Sequence, residues 1–198
     1  MLGVMTDPAP VTVPDAPEVA REVFGDRLAL AEAFAAELAD TGVSHGLIGP
    51  REVPRLWDRH VLNCAVPAVV IPEGSRIVDV GSGAGLPGIA MAIARPDLDV
   101  VLVEPMLRRT TWLSETIARL GLERVEVVRG RAEDVAGSVS APIVTARAVA
   151  RIDKLARWCV PLLDRPGRIV ALKGRSAREE LAEETAVLRR LGMTAGGV

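Results

Sequence analysis

The stretch Arg76-Ile77-Val78-Asp79-Val80-Gly81-Ser82-Gly83-Ala84-Gly85-Leu86-Pro87-Gly88 opens as a β-branched run, turns through closely spaced glycines and leads into the apolar Ile89-Ala90-Met91-Ala92-Ile93. That order reads as strand, glycine turn and helix. Glycine tolerates positive φ and lets backbone N–H groups come close to a ligand, and Pro87 suits a first helical turn, where its missing N–H costs nothing. A tight structural turn uses glycine too, so the rest of the chain has to choose.

Outward from this turn, short β-branched runs alternate with helical segments. Strands are predicted at Arg76–Val80, Val100–Val103, Val125–Val128, Ile143–Ala146 and Arg168–Leu172, with helices near Pro87–Arg95, Leu107–Leu120, Ile152–Leu163 and Ala177–Leu191. Five strands alternating with four helices predict an α/β fold with a doubly wound, mostly parallel sheet. Its ligand crevice lies at the carboxyl ends of the strands. Upstream, Val19, Val23, Leu30, Phe34 and Leu38 recur at helical intervals from Glu18 to Asp40, and a second helical stretch runs from about Glu52 to Val70. These form a helical N-terminal arm over 18–72, ahead of a Rossmann-like domain over 73–198. The Pro-rich residues 1–17 read as a disordered lead.

The chain has 198 residues, 49% of them apolar and 25% charged, the composition of an ordinary globular domain. None of its apolar stretches approaches the ~20 residues needed to cross a bilayer. Two cysteines, Cys64 and Cys159, are too few for a disulfide scaffold or a Cys-rich zinc cage. A cytoplasmic protein with reduced thiols, no metal site and no membrane partner is expected. The net charge of −2 hides an asymmetry: residues 1–45 carry eight acids against two arginines, whereas 105–178 hold fifteen basic residues against seven acidic ones. That basic region suits a polyanion, though a solvated arginine-rich surface would look the same.

The glycine turn admits two ligands. Read from Gly83, Gly83-Ala84-Gly85-Leu86-Pro87-Gly88 satisfies the dinucleotide fingerprint, with Glu104 at the end of the second strand placed to take a ribose. Read from Asp79, the stretch is acid-x-Gly-x-Gly-x-Gly, the pattern of S-adenosylmethionine sites. A carboxylate accepts both ribose hydroxyls in either case. A dehydrogenase needs a proton donor near the hydride, yet tyrosine is absent and both histidines, His45 and His60, precede the sheet. Methyl transfer asks less, because the sulfonium is already activated and alignment supplies most of the acceleration. An NAD-binding oxidoreductase and a non-catalytic RNA-binding module stay open as alternatives.

Arg59-His60-Val61-Leu62-Asn63, the segment Val78 to Gly88, Gly130-Arg131-Ala132-Glu133-Asp134, Ala146-Arg147-Ala148-Val149-Ala150 and Ala171-Leu172-Lys173-Gly174 together resemble the RsmG family, formerly GidB. The resemblance runs from about Phe34 to Leu191. It implies a Rossmann-like, S-adenosylmethionine-dependent methyltransferase acting on N7 of a guanine in 16S ribosomal RNA, with that RNA or the small ribosomal subunit as partner and the protein a monomer. N7 offers an unprotonated lone pair, so no general base is needed. Methylation at a pyrimidine C5 would need a cysteine nucleophile, and neither Cys64 nor Cys159 stands in a fitting sequence; both read as buried small hydrophobes. No Pro-Pro pair is present for an adenine-amine motif.

By the same resemblance, Asp79, Gly81, Gly83, Gly85, Leu86 and Glu104 would hold the cofactor, with Ala132 and Glu133 beside its adenine. Many relatives have aspartate where Glu104 stands. Arg147, at the end of the fourth strand, is the expected catalytic residue and also borders the cofactor; a salt bridge at a strand end is its bland alternative. Arg131, Lys173 and Arg108 would meet RNA. Stacking of the base falls to Trp57, Trp112, Trp158 or an arginine plane, and Arg108, Trp112 and Arg119 form a candidate RNA-facing flank. His60 reads as a hydrogen-bonding tie between arm and sheet. Sheets of this class close with two further strands, so a sheet lacking its last two strands, in a C-terminally short domain, is expected.

Overall fold

The computed structural model describes residues 13–147 and 150–197. Five strands form one sheet, β1 (Arg76–Val80), β2 (Asp99–Glu104), β3 (Val125–Arg129), β4 (Ala141–Arg147) and β5 (Leu163–Leu172). Every pairing is parallel and the order is β3-β2-β1-β4-β5. The order reverses at β1, where β2 lies on one side and β4 on the other, which opens a crevice above the carboxyl ends. Register fixes that rim: Val80 pairs with Val103, Glu104 with Arg129 and Arg147 with Leu172.

Successive strand side chains point to opposite faces, and both faces are covered. Ile77, Val100, Leu102 and Ile143 face a core shared with the arm and with α5 (Gly88–Ala94) and α6 (Leu107–Leu120). Val78, Val80, Val101, Val103 and Val144 face a second core closed by α7 (Ala132–Val135) and α8 (Ile152–Cys159). The α6 boundaries agree with the periodicity, and its left-handed C-cap falls on Gly121.

The arm departs from two continuous helices. Its first part is α1 (Glu18–Phe24), a 3₁₀ turn at Gly25–Arg27 and α2 (Leu28–Ala39), followed by the short α3 (Thr41–Ser44). The break falls on Gly25, with φ of 52°. The second part is a 3₁₀ turn (Pro50–Arg55), a π-helix (Leu56–Leu62), α4 (Asn63–Ala65) and another 3₁₀ turn (Val66–Val70). Pro54 and Pro67 deny amide donors to a regular ladder. Phe34, Leu38, Leu56 and Trp57 are buried in the same core as Ile89 and Leu102, so the arm covers one face of the sheet.

The expected lead, 1–17, lies outside the described residues up to position 12. Its end does not behave as a loose leader: Val13 and Ala16 pack on the core, and Pro14 accepts a hydrogen bond from the Trp57 indole at 2.9 Å. After β5 come α9 (Ala177–Glu183) and α10 (Thr185–Arg190), and among the described residues β5 is an edge strand.

Candidate active site

A cavity of about 370 Å³ opens at the carboxyl ends of β1 and β2, with Gly81, Glu104, Arg131, Ala132 and Glu133 in its wall. Arg131 immediately precedes α7, and Ala132 and Glu133 begin it. The wall also holds Met106, Arg109 and Trp158, of which only Trp158 was among the residues singled out above. Two larger cavities, about 430 and 780 Å³, flank β5 and the segment 191–197, behind mainly apolar walls with Lys173 in one and Arg165 and Arg168 in the other.

Glu104 is almost wholly buried at the end of β2. Its Oε2 accepts from the Gly83 N–H at 3.1 Å and its Oε1 from the Met106 N–H at 3.0 Å, while the Arg109 guanidinium lies 3.5 Å from Oε2. A carboxylate has about four lone-pair directions, so it retains capacity for hydroxyl donors from the cavity. Gly83 is thus tied to the site through Glu104 without lining the cavity.

Asp79 is fully buried beneath the turn. Its Oδ2 accepts from the Gly88 N–H at 3.0 Å, and its Oδ1 has no partner among the described residues. Burial pushes this carboxyl up to about 7, against the pull of the Gly88 and Ser82 hydrogen bonds and the Arg147 charge. Two glycines make the arrangement possible. A Cβ on Gly88 would collide with Leu102 and sit 2.8 Å from Asp79 Oδ2; one on Gly85, whose φ is 77°, would collide with Ile89. Leu86, expected to border the cofactor, is buried in the core shared with the arm.

Arg147 ends β4 and turns toward the arm. Its Nη1 donates to the Arg59 carbonyl at 3.2 Å and its Nη2 to His60 Nδ1 at 3.0 Å. His60 Nε2 in turn meets Glu52 Oε2 at 2.9 Å. The tie between arm and sheet expected of His60 is present, and it runs through Arg147. Ala148 and Val149 of that motif lie outside the described residues. Both cysteines are free and buried, and burial pushes each thiol up to about 12, which makes them poor nucleophiles at neutral pH.

The residues expected to face RNA divide. Arg131 and Arg108 are exposed, and neither side chain has a hydrogen bond or ion pair among the described residues. Lys173 is largely buried; its Nζ donates to the Ala150 carbonyl at 2.6 Å and lies 3.0 Å from Glu180, so its charge is matched inside the protein. The proposed α6 flank needs correction. Trp112 is buried with its indole donating to Thr41 Oγ1 at 2.9 Å, and Arg119 is held by Glu37 at 2.8 Å. Trp57 is buried as well, leaving Trp158 as the half-exposed tryptophan. Glu52, Arg109 and Met106 were missed; only Arg109 had a signal, one turn into the helix after Glu104.

A central strand ending in a buried acid, a glycine turn, and a second buried acid ending the neighbouring strand define the Rossmann-like methyltransferase fold. The structure of M. jannaschii TYW2 in complex with AdoMet superposes with a TM-score of 0.57 at 19% identity, covering 69% of this chain and 65% of that one. Residues 27–195 match the family described as rRNA small subunit methyltransferase G, GidB. The ribosomal RNA small subunit methyltransferases G of Streptomyces avermitilis and Salinispora tropica are each 58% identical to this chain, over 91% and 90% of it and 76% and 77% of their own lengths. The chain belongs to the rRNA small subunit methyltransferase G family.

Proposed function

We propose that the protein transfers a methyl group from S-adenosylmethionine to N7 of a guanine in 16S ribosomal RNA, as a monomer in the cytoplasm. The observation that carries this reading is the pairing of Glu104 with the glycine turn in one cavity at the switch point of the sheet. The residues fit the cofactor. Glu104 offers spare lone pairs to two ribose hydroxyls, Ala132 and Glu133 flank a slot for the adenine, and the unpartnered Asp79 Oδ1 offers an acceptor toward an ammonium group. The cofactor supplies an electrophilic methyl on a sulfonium.

What remains for the chain is alignment and charge. N7 attacks through an in-plane lone pair and releases no proton, which agrees with a cavity whose acids, Glu104 and Glu133, suit binding better than base catalysis. The methylated ring takes over the positive charge that the sulfonium gives up. Arg147 has five N–H donors, two of them engaged with Arg59 and His60, and the remainder can address guanine O6. Arg131 and Arg108 meet phosphates, which makes binding salt-sensitive. Lys173 acts by bracing the loop after β4 at Ala150.

The test is mass mapping of small-subunit RNA from cells with and without the gene, paired with labelled S-adenosylmethionine and purified protein. Loss of one N7-methylguanine in the deletion and its restoration in vitro support the reading. An unchanged N7-methylguanine signal removes it, and binding to small-subunit particles without methyl transfer would favour a non-catalytic RNA-binding module.

A further inference from the structure

Because Arg147 carries no removable proton, it is the donor in its 3.0 Å contact, and His60 Nδ1 must be the acceptor. The imidazole then has its hydrogen on Nε2, where Glu52 accepts it at 2.9 Å. The three groups come from separate elements. Glu52 lies in the 3₁₀ turn Pro50–Arg55, His60 in the π-helix and Arg147 at the end of β4. His60 is 94% buried, so no solvent rearrangement substitutes for these partners.

We infer that His60 is a positioning residue for Arg147: Glu52 holds the imidazole as the Nε2–H tautomer, and its free Nδ1 seats the guanidinium over the carboxyl ends of β1 and β4. The role in catalysis rests on the function proposed above. The charged groups facing the imidazole are Glu52, Arg59 of its own helix and Arg147 of β4. A second proton would have to go on Nδ1, directly against the guanidinium. Burial and the neighbouring arginines accordingly hold this histidine below its ordinary value, with Glu52 opposing them. Acidification converts an acceptor into a like-charged donor, and Arg147 is released. The π-helix contributes geometrically, since its wide turn carries both the Arg59 carbonyl and the His60 ring to the same guanidinium.

The tautomer can be read without any activity. The full chain has only two histidines, His45 and His60, so nitrogen-15 spectra of the imidazoles are simple to assign. The expected result is an Nε2–H form of His60 at neutral pH whose titration midpoint lies below the ordinary histidine value and rises in Arg147→Gln. An Nδ1–H form, or a midpoint indifferent to Arg147→Gln, overturns the proposal, whether or not the chain methylates RNA. Kinetics with small-subunit RNA then test the positioning role. His60→Leu should lower kcat by about 100-fold, the scale of a misplaced catalytic contact, with KM for S-adenosylmethionine little changed. His60→Asn, which keeps an acceptor near the Nδ1 position, should recover most of that loss and abolish the acid limb of the pH profile. Equal losses in a folded His60→Asn, or an acid limb that persists in it, overturn the role. A wild-type chain that transfers no methyl group refutes the proposed function instead, and the spectra alone then decide the His60–Arg147 linkage.

Discussion

Two sides of one sheet are built to different standards. Around β1 and β2 nearly every residue is buried, helices cover both faces, and the two buried carboxylates, Asp79 and Glu104, are tied to backbone N–H groups. At β5, Asp164 to Arg168 are exposed, Ile169 to Leu172 are half-buried, and cavities lie on both flanks. The cavity walled by Glu104, Arg131 and Glu133 lies at the first side. Holding two acids away from water requires a rigid surround, because a looser one would let each regain its hydration. The β5 side has no such requirement on its side chains, and the groups it brings to the rim, Lys173 above all, act as braces.

The sharpest way to break this contrast is to crowd the rigid side. Gly88→Val drives a side chain into Leu102 and Asp79, and the urea midpoint should fall by the equivalent of about 3 kcal/mol. A variant as stable as the parent would mean that the turn is looser than its geometry. Next, Glu104→Gln keeps the shape and removes the charge, and calorimetry should show S-adenosylmethionine binding weakened by about 10- to 100-fold.

Asp79 gives an effect with a distinctive sign. Its folded value near 7 stands above the ordinary 3.8, so the folded state holds the proton more tightly than the unfolded chain. Stability is therefore greatest below the ordinary value and declines as pH rises toward 7. Asp79→Asn should flatten the decline in urea titrations run at several pH values. A parent that grows more stable over the same range would reverse the sign. Smallest of all, Ile169→Ala at the β5 side should cost under about 1 kcal/mol, whereas a buried leucine such as Leu102 costs about 3 kcal/mol on truncation. Equal costs would erase the distinction between the two sides.

Much of this architecture is written in local pattern. The β1 and α6 boundaries coincide with the residues periodicity selects, and Glu104 declares itself by ending a β-branched run. What escaped is whatever depends on distant partners. On α6, Leu113, Ile117 and Leu120 recur at helical spacing and by themselves predict one buried stripe, with Trp112 on another flank. Trp112 is also covered, because the arm packs on it: a Cβ on Gly42, 70 residues earlier, would lie only 3.7 Å from its ring, and Thr41 accepts its indole N–H. Glu52 gave no signal, since nothing in an acid eight positions before a histidine says that the chain will fold them together. Lys173 was placed at the right strand end and assigned outward, but Glu180 on the following helix turns it inward. The 3₁₀ and π segments of the arm were legible only as helical, because prolines and tertiary packing, not residue propensity, set their winding.

The unequal settings of the three tryptophans make the molecule its own optical gauge. Trp57 and Trp112 donate their indoles to internal oxygens and contribute a steady, shielded emission. Trp158 shares a wall with Glu104 and Glu133, beneath the Lys154 ammonium at 5.0 Å from its ring. Filling that cavity should shift or quench about one third of the signal, and Trp158→Phe should make the chain blind to loading while the other two indoles continue to report whether it is folded.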